Sequence, residues 1–198
     1  MIKLTVIMLI WPNLPINRDK FAQNDQLLTI TAANWLDYQH FDSAEYPGYR
    51  VSYFKGEITI VSPGRNHERI AAYCEKYGLP DFPFGQTRLN AWGQAGREPD
   101  LAYAFDRDKD LPDLVVEVII SSGDLETLKS SYKNIGIGEL WIWKDNAMTF
   151  YALADDNYAV VATSEILTRI KSELLVQYVN RGLTESPLVI KQDFLKVI

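Results

Sequence analysis

Cysteine is nearly absent. The 198-residue chain has one, Cys74, which excludes an internal disulfide and a cysteine-rich zinc site and points to a reducing, cytoplasmic setting. Cys74 falls at helical spacing from Ile70, Tyr73 and Tyr77, the place of a small core hydrophobe rather than a nucleophile. Basic charge is also short. With 20 Lys and Arg against 26 Asp and Glu, the net charge is −6, which argues against a strongly basic nucleic-acid clamp. It leaves room for a metal-dependent enzyme acting on a charged substrate, whose site gathers carboxylates around a cation. Long hydrophobic runs are missing as well: the apolar stretch 6–11 is too short to span a bilayer and precedes no small-residue cleavage pattern, so no membrane association is expected.

What is present suffices for one folded domain, since 47% of the residues are hydrophobic. The expected organisation is an N-terminal extension over residues 1–28 and a single domain over 29–198, with no internal repeat. Thr31 is a candidate cap for a short helix carrying Trp35, Leu36 and Tyr38. Segments 50–54 and 57–61, joined by Lys55-Gly56, read as a hairpin, and Asn66 as the cap of a helix to about residue 77. Further strands are expected near 86–90 and over 101–105, 114–120, 139–143, 148–153 and 158–162. Helices are expected over 125–135, ended by Gly136, and over 173–180. This order predicts an α/β (α+β) fold with a mixed central sheet flanked by helices.

Glu117 is the most informative residue. It interrupts an apolar run, Leu114-Val115-Val116-Glu117-Val118-Ile119-Ile120, apolar enough on both faces to be buried, and a carboxylate there is costly unless paired or bound to a cation. If segments 101–105 and 114–120 pair antiparallel, the simplest register sets Asp100 almost opposite Glu117. Two hard oxygen ligands on rigid strands suit Mg²⁺, which could activate water and stabilise a phosphodiester under attack. From spacing alone a second reading stays open: an exposed Asp100, with Glu117 paired to a core arginine or lysine.

Longer motifs narrow the choice. Glu98-Pro99-Asp100, Pro112-Asp113-Leu114-Val115-Val116-Glu117-Val118, Ser121-Ser122-Gly123 and Tyr132-Lys133-Asn134-Ile135-Gly136-Ile137-Gly138-Glu139-Leu140-Trp141 resemble the Uma2 family. Upstream, Gly56-Glu57-Ile58, Ser62-Pro63-Gly64 and Asn66-His67-Glu68-Arg69-Ile70 match its N-terminal signature, so the resemblance runs from about residue 30 to 153. It implies a PD-(D/E)xK restriction-endonuclease-like fold and Mg²⁺- or Mn²⁺-dependent hydrolysis of DNA. It further implies Asp100 as the motif aspartate, Glu117 as the second metal-binding carboxylate and Glu68 as the acidic helix residue of the site. Glu57 is a further candidate, although an exposed glutamate at a strand start is the plainer reading.

The sequence departs from that pattern in two places. Ile119 stands where the usual motif has lysine, leaving Lys129 and Lys133 on the next helix as the candidate cations. Many family members carry a lysine four residues before the helix tyrosine, where this chain has Leu128. The segment after His67 is also short, allowing about three helical turns. His67 is read as a capping or packing residue before a phosphate contact or proton carrier. Trp141 and Trp143 are read as core or dimer surface, and the loop 106–110 as a solvated turn. DNA binding would use a patch such as Arg88, Arg97 and Arg107, or a homodimer with one site per strand. The alternative is a catalytically inactive nuclease-fold protein serving as an interaction or nucleic-acid-binding module.

Overall fold

The computed structural model describes residues 25–41, 48–64, 67, 70–71, 82–84, 87–107, 109–120 and 124–197. Glu68, Cys74 and most of the expected 66–77 helix lie outside these residues, although His67, Ile70 and Ala71 are helical.

The described strands form two sheets. The first has five strands, β1 (Gln26–Thr31), β2 (Arg50–Phe54), β3 (Glu57–Ser62), β5 (Leu89–Ala91) and β6 (Ala95–Arg97), in the order β1-β3-β2-β6-β5. The second has six, β4 (Phe82–Pro83), β7 (Leu101–Ala104), β8 (Leu114–Ile119), β9 (Glu139–Lys144), β10 (Ala147–Ala154) and β11 (Asn157–Val161), in the order β11-β10-β9-β8-β7-β4. β8 and β9 are parallel and their neighbours antiparallel, so this sheet is the mixed one. With helices α1 (Trp35–Gln39), α2 (Leu125–Ile135), α3 (Ser172–Gly182) and α4 (Pro187–Phe194), the architecture is α+β and consistent with a restriction-endonuclease-like domain.

Local chemistry explains most element ends. Lys55 and Gly56 both have positive φ, as do Asp145 and Asn146, the conformation that two-residue hairpin turns require. Gly136 ends α2 in the left-handed region, and Asp124 caps its start. One expectation is corrected. Thr31 does not cap α1, because it pairs with Glu57 in β1; the cap is Asn34, whose side chain and that of Asp37 form a reciprocal capping box. β1 starts at Gln26, and the expected mixed sheet stands beside a second, antiparallel one.

The second sheet lies between two apolar clusters. Val116, Val118, Trp141, Trp143 and Phe150 pack with Leu175 and Val179 of α3 and Ile190 and Phe194 of α4. On the other face Ala102, Val115, Leu140 and Ile142 meet Leu128, Tyr132 and Ile135 of α2, together with Phe54, Leu89 and Ala95 of the first sheet. Trp141 and Trp143 are therefore core residues. The two-residue alternation of β8 sends Glu117 to the α2 side, with Val115 and Ile119. Asp100 shares the parity of Ala102 and reaches that same side.

Candidate active site

β7 and β8 pair with Leu101 opposite Val116 and Ala102 opposite Val115. One step further along this register sets Asp100 opposite Glu117. Both carboxyls line one cleft of about 400 Å³ between the sheets and the start of α2. Leu27, Thr29, Ser52, Glu57 and Thr59 of the first sheet form one wall, and Asp124, Thr127 and Leu128 stand on the other. Glu57 thus faces the cleft.

Asp100 is buried and held by several donors. Its Oδ1 accepts from His67 Nε2 at 2.7 Å and from Arg50 Nε at 3.4 Å, and its Oδ2 from the Val118 N–H at 2.8 Å. Burial alone would raise the Asp100 carboxyl, but His67, Arg50 and that N–H hold it below its ordinary value. His67 is neither a cap nor a plain packing residue. Its Nδ1 reaches Asp25 Oδ2 at 3.1 Å, and Asp25 Oδ1 in turn accepts the Gly64 N–H at 2.8 Å. Burial works against a charged imidazole, yet Asp100 and Asp25 together raise His67 to about 10, so at neutral pH both ring nitrogens donate.

Glu117 is in the opposite condition. Its Oε1 accepts the Tyr132 hydroxyl, while burial and the neighbouring Asp100 charge push the Glu117 carboxyl up to about 8 despite opposition from Tyr132 and Arg97. Tyr132 is raised well above its ordinary value by burial and by Glu117, so it remains a neutral donor. Two adjacent carboxyls, one ionised and one protonated at neutral pH, are what like charges in a shared buried site produce. A divalent cation between them would let both ionise. Mg²⁺ is commonly bound by one or two carboxylates while keeping several waters, so this donor pair fits it, although among the described residues no three His, Cys, Asp or Glu side chains gather as a ligand group.

The remaining expected residues are distributed differently. Glu68 lies outside the described residues. Lys129 Nζ pairs with Glu126 at 2.7 Å and sits 5.1 Å from the Tyr151 ring centroid, and Lys133 Nζ binds Asp156 through its carbonyl at 2.9 Å and its carboxylate at 3.2 Å. Both ammonium groups are thereby directed toward β10 and the turn after it, two strands from Glu117, roughly 10 Å at ordinary strand spacing. The basic patch does not assemble either. Arg88 is clamped to Glu98 at 2.9 and 2.7 Å and stacks 4.7 Å from the Tyr38 ring, and exposed Arg107 lies at the far end of the β7–β8 hairpin from Asp100.

Arg97 does line the cleft, beside Glu117. Arg50 and Asp25 were not legible as site residues, because their roles arise only where β1, β2 and the His67 segment meet β7. The alternation of β2, which turns Arg50 and Ser52 away from buried Val51 and Tyr53, was the available signal for Arg50. Glu98 is buried for a structural reason: besides Arg88, it accepts the Val51 N–H at 3.1 Å and ties β2 to the Pro99-Asp100 segment. Among the described residues no helix is long and apolar enough to cross a membrane.

No curated protein matches the chain. A family model does: Uma2, described as "Putative restriction endonuclease", matches residues 35–184, which include Asp100, Glu117, His67 and Arg97. That description agrees with a cleft built around two convergent carboxyls in a nuclease-like α+β fold, and over this span, three quarters of its length, the chain belongs to the Uma2 family.

Proposed function

We propose that this protein is a metal-dependent endodeoxyribonuclease whose site is the Asp100–Glu117 pair. The observation that carries the reading is the convergence of Asp100 and Glu117 on one cleft from facing positions of β7 and β8, with Asp100 held by His67 and the Val118 N–H; burial and the Asp100 charge accordingly push the Glu117 carboxyl up. Family membership supplies the nuclease class, while the divalent cation and the DNA substrate belong to the proposal.

The reaction is hydrolysis: water adds to phosphorus, the bond to one ester oxygen breaks, and the water's proton ends on the departing alkoxide. Asp100 and Glu117 would hold Mg²⁺ or Mn²⁺, which would acidify water and neutralise charge growing on the phosphate. His67, fixed by Asp25, and the Val118 N–H keep the Asp100 carboxylate oriented. Tyr132 orients Glu117 from the opposite side. Such supporting bonds are commonly worth 10–100-fold in metal affinity or activity. One site cuts one strand at a time, so simultaneous cleavage of both strands would use two chains, for example a homodimer.

The second reading, a nuclease-fold module that binds without cutting, is favoured by one observation: Lys129 and Lys133 are engaged by Glu126 and Asp156. Incubating supercoiled plasmid with Mg²⁺ or Mn²⁺ separates the two. Nicking by the wild-type chain, lost in folded Asp100→Ala and Glu117→Ala, supports the nuclease; binding without cleavage under either metal supports the silent module.

A further inference from the structure

The nuclease pattern calls for a cation beside the carboxylates, and neither candidate lysine supplies it. The cleft contains another. Arg97, the last residue of β6, lines it three positions before Asp100, and its charge acts on Glu117. Its Nε donates to the buried Ser131 Oγ at 3.0 Å, and its guanidinium lies 5.9 Å from the centre of the Tyr132 ring. Among the described residues no acceptor engages its two terminal nitrogens. The other arginines differ: Arg88 gives both Nε and a terminal nitrogen to Glu98, and Arg50 pairs with Asp100.

We propose that Arg97 is the phosphate-binding cation of this site, in the role for which the usual motif provides a lysine at the position of Ile119. The inference rests on the nuclease reading of the cleft. A planar guanidinium presents paired N–H groups that match two non-bridging oxygens of a phosphodiester. It does not release its proton in proteins, so it contributes fixed positive charge and orientation, not proton transfer. The Ser131 bond and the Tyr132 ring hold it in place before substrate arrives, the condition under which such a charge is most effective. Gly96 supports the same placement, because a Cβ there would run into the buried Tyr38 ring packed against β6.

The test compares the full chain with Arg97→Gln, Arg97→Lys and Ser131→Ala. The readouts are binding of a 20-base-pair mixed-sequence duplex in Ca²⁺ over a range of KCl, Mn²⁺ binding by calorimetry, and plasmid nicking in Mn²⁺. Arg97→Gln should retain Mn²⁺ binding, weaken the duplex about tenfold and reduce the slope of log K against log salt by about 0.9, one phosphate contact. Its nicking rate should fall on the order of a hundredfold. Arg97→Lys should recover the slope and part of the affinity, and Ser131→Ala, which keeps the guanidinium, should retain the slope. A wild-type slope in Arg97→Gln, a reduced slope in Ser131→Ala that matches it, or no duplex binding by the wild-type chain overturns the proposal. If the wild-type chain neither binds Mn²⁺ nor cuts, yet Arg97→Gln lowers the slope, the phosphate contact stands and the nuclease reading fails. If the wild-type chain cuts and Arg97→Gln cuts equally with an unchanged slope, the nuclease reading stands and Arg97 is not its cation.

Discussion

Glu117 and Glu139 sit on adjacent strands of one sheet and solve the burial of a carboxylate in opposite ways. Glu139, at the head of β9 beside Leu114, is 2% exposed and fully engaged: Oε1 accepts Trp141 Nε1 at 2.6 Å, and Oε2 accepts the N–H groups of Glu165 and Ile166 at 3.1 and 3.2 Å. Glu117, three positions along β8 from Leu114, has one hydroxyl donor and a negatively charged neighbour. Glu139 ties the end of the sheet to the segment before α3, a structural task. Glu117 is under-compensated beside a cleft, the condition that the proposed cation would relieve. Glu139 is buried and Glu117 is partly open to the cleft, and the donors around each carboxylate separate structure from function.

The contrast can be broken most directly by removing carboxylates. Asp100→Ala and Glu117→Ala should each lower metal-dependent nicking on the order of a thousandfold, measured on supercoiled plasmid after confirming the fold by circular dichroism. Glu139→Ala should instead act on stability. It strands the buried Trp141 indole N–H and the part-buried N–H groups of Glu165 and Ile166, and should cost about 2 kcal/mol in urea unfolding, with activity per folded molecule preserved. Glu117→Gln, which mimics the neutral carboxyl of the metal-free pair, should change stability in the metal-free protein at neutral pH by less than about 1 kcal/mol. A destabilising Glu117→Gln and a harmless Glu139→Ala would reverse the assignment.

Stability against pH sharpens the comparison further. Between the ordinary 4.5 and about 8, the folded chain keeps a proton on Glu117 that the unfolded chain has released, so stability falls as pH rises across that window. His67 has the same sign for another reason. Its contribution is complete below the ordinary 6.5 and is lost as pH rises through about 10. Metal-free protein should therefore lose melting temperature from pH 6 to pH 9. Glu117→Gln should flatten the lower part of that slope and His67→Asn the upper part. A profile that rises with pH would contradict both assignments.

The smallest effect is expected from the helix lysines. Lys129→Ala and Lys133→Ala should alter nicking by no more than about threefold, because each ammonium serves an exposed ion pair of little energetic weight. A loss comparable to that of Glu117→Ala would return a lysine to the site.

Local pattern carried the elements well. The Lys55-Gly56 turn, the apolar β8 strand with its single carboxylate and the helix ended by Gly136 all lie where residue chemistry requires them, and the β7–β8 register follows from the simplest hairpin. The first sheet was less legible. β1 straddles the boundary expected at residue 28, and its pairing with β3 is a long-range choice that no local signal specifies. The same applies to Asp25 and Arg50, which join Asp100 only through the packing of distant segments. For Lys129 and Lys133 the sequence placed the helix but not its rotation: Leu128 and Tyr132 take the inward face and leave the lysines toward β10.

The most direct test of the central claim is calorimetric titration of the metal-free chain with Mn²⁺ at pH 7 in buffers of different ionisation enthalpy. Binding accompanied by proton release, and lost in folded Glu117→Gln, is the predicted result, because a cation must displace the proton that the pair shares. Absence of Mn²⁺ binding, or equal binding and proton release in Glu117→Gln, would contradict the account.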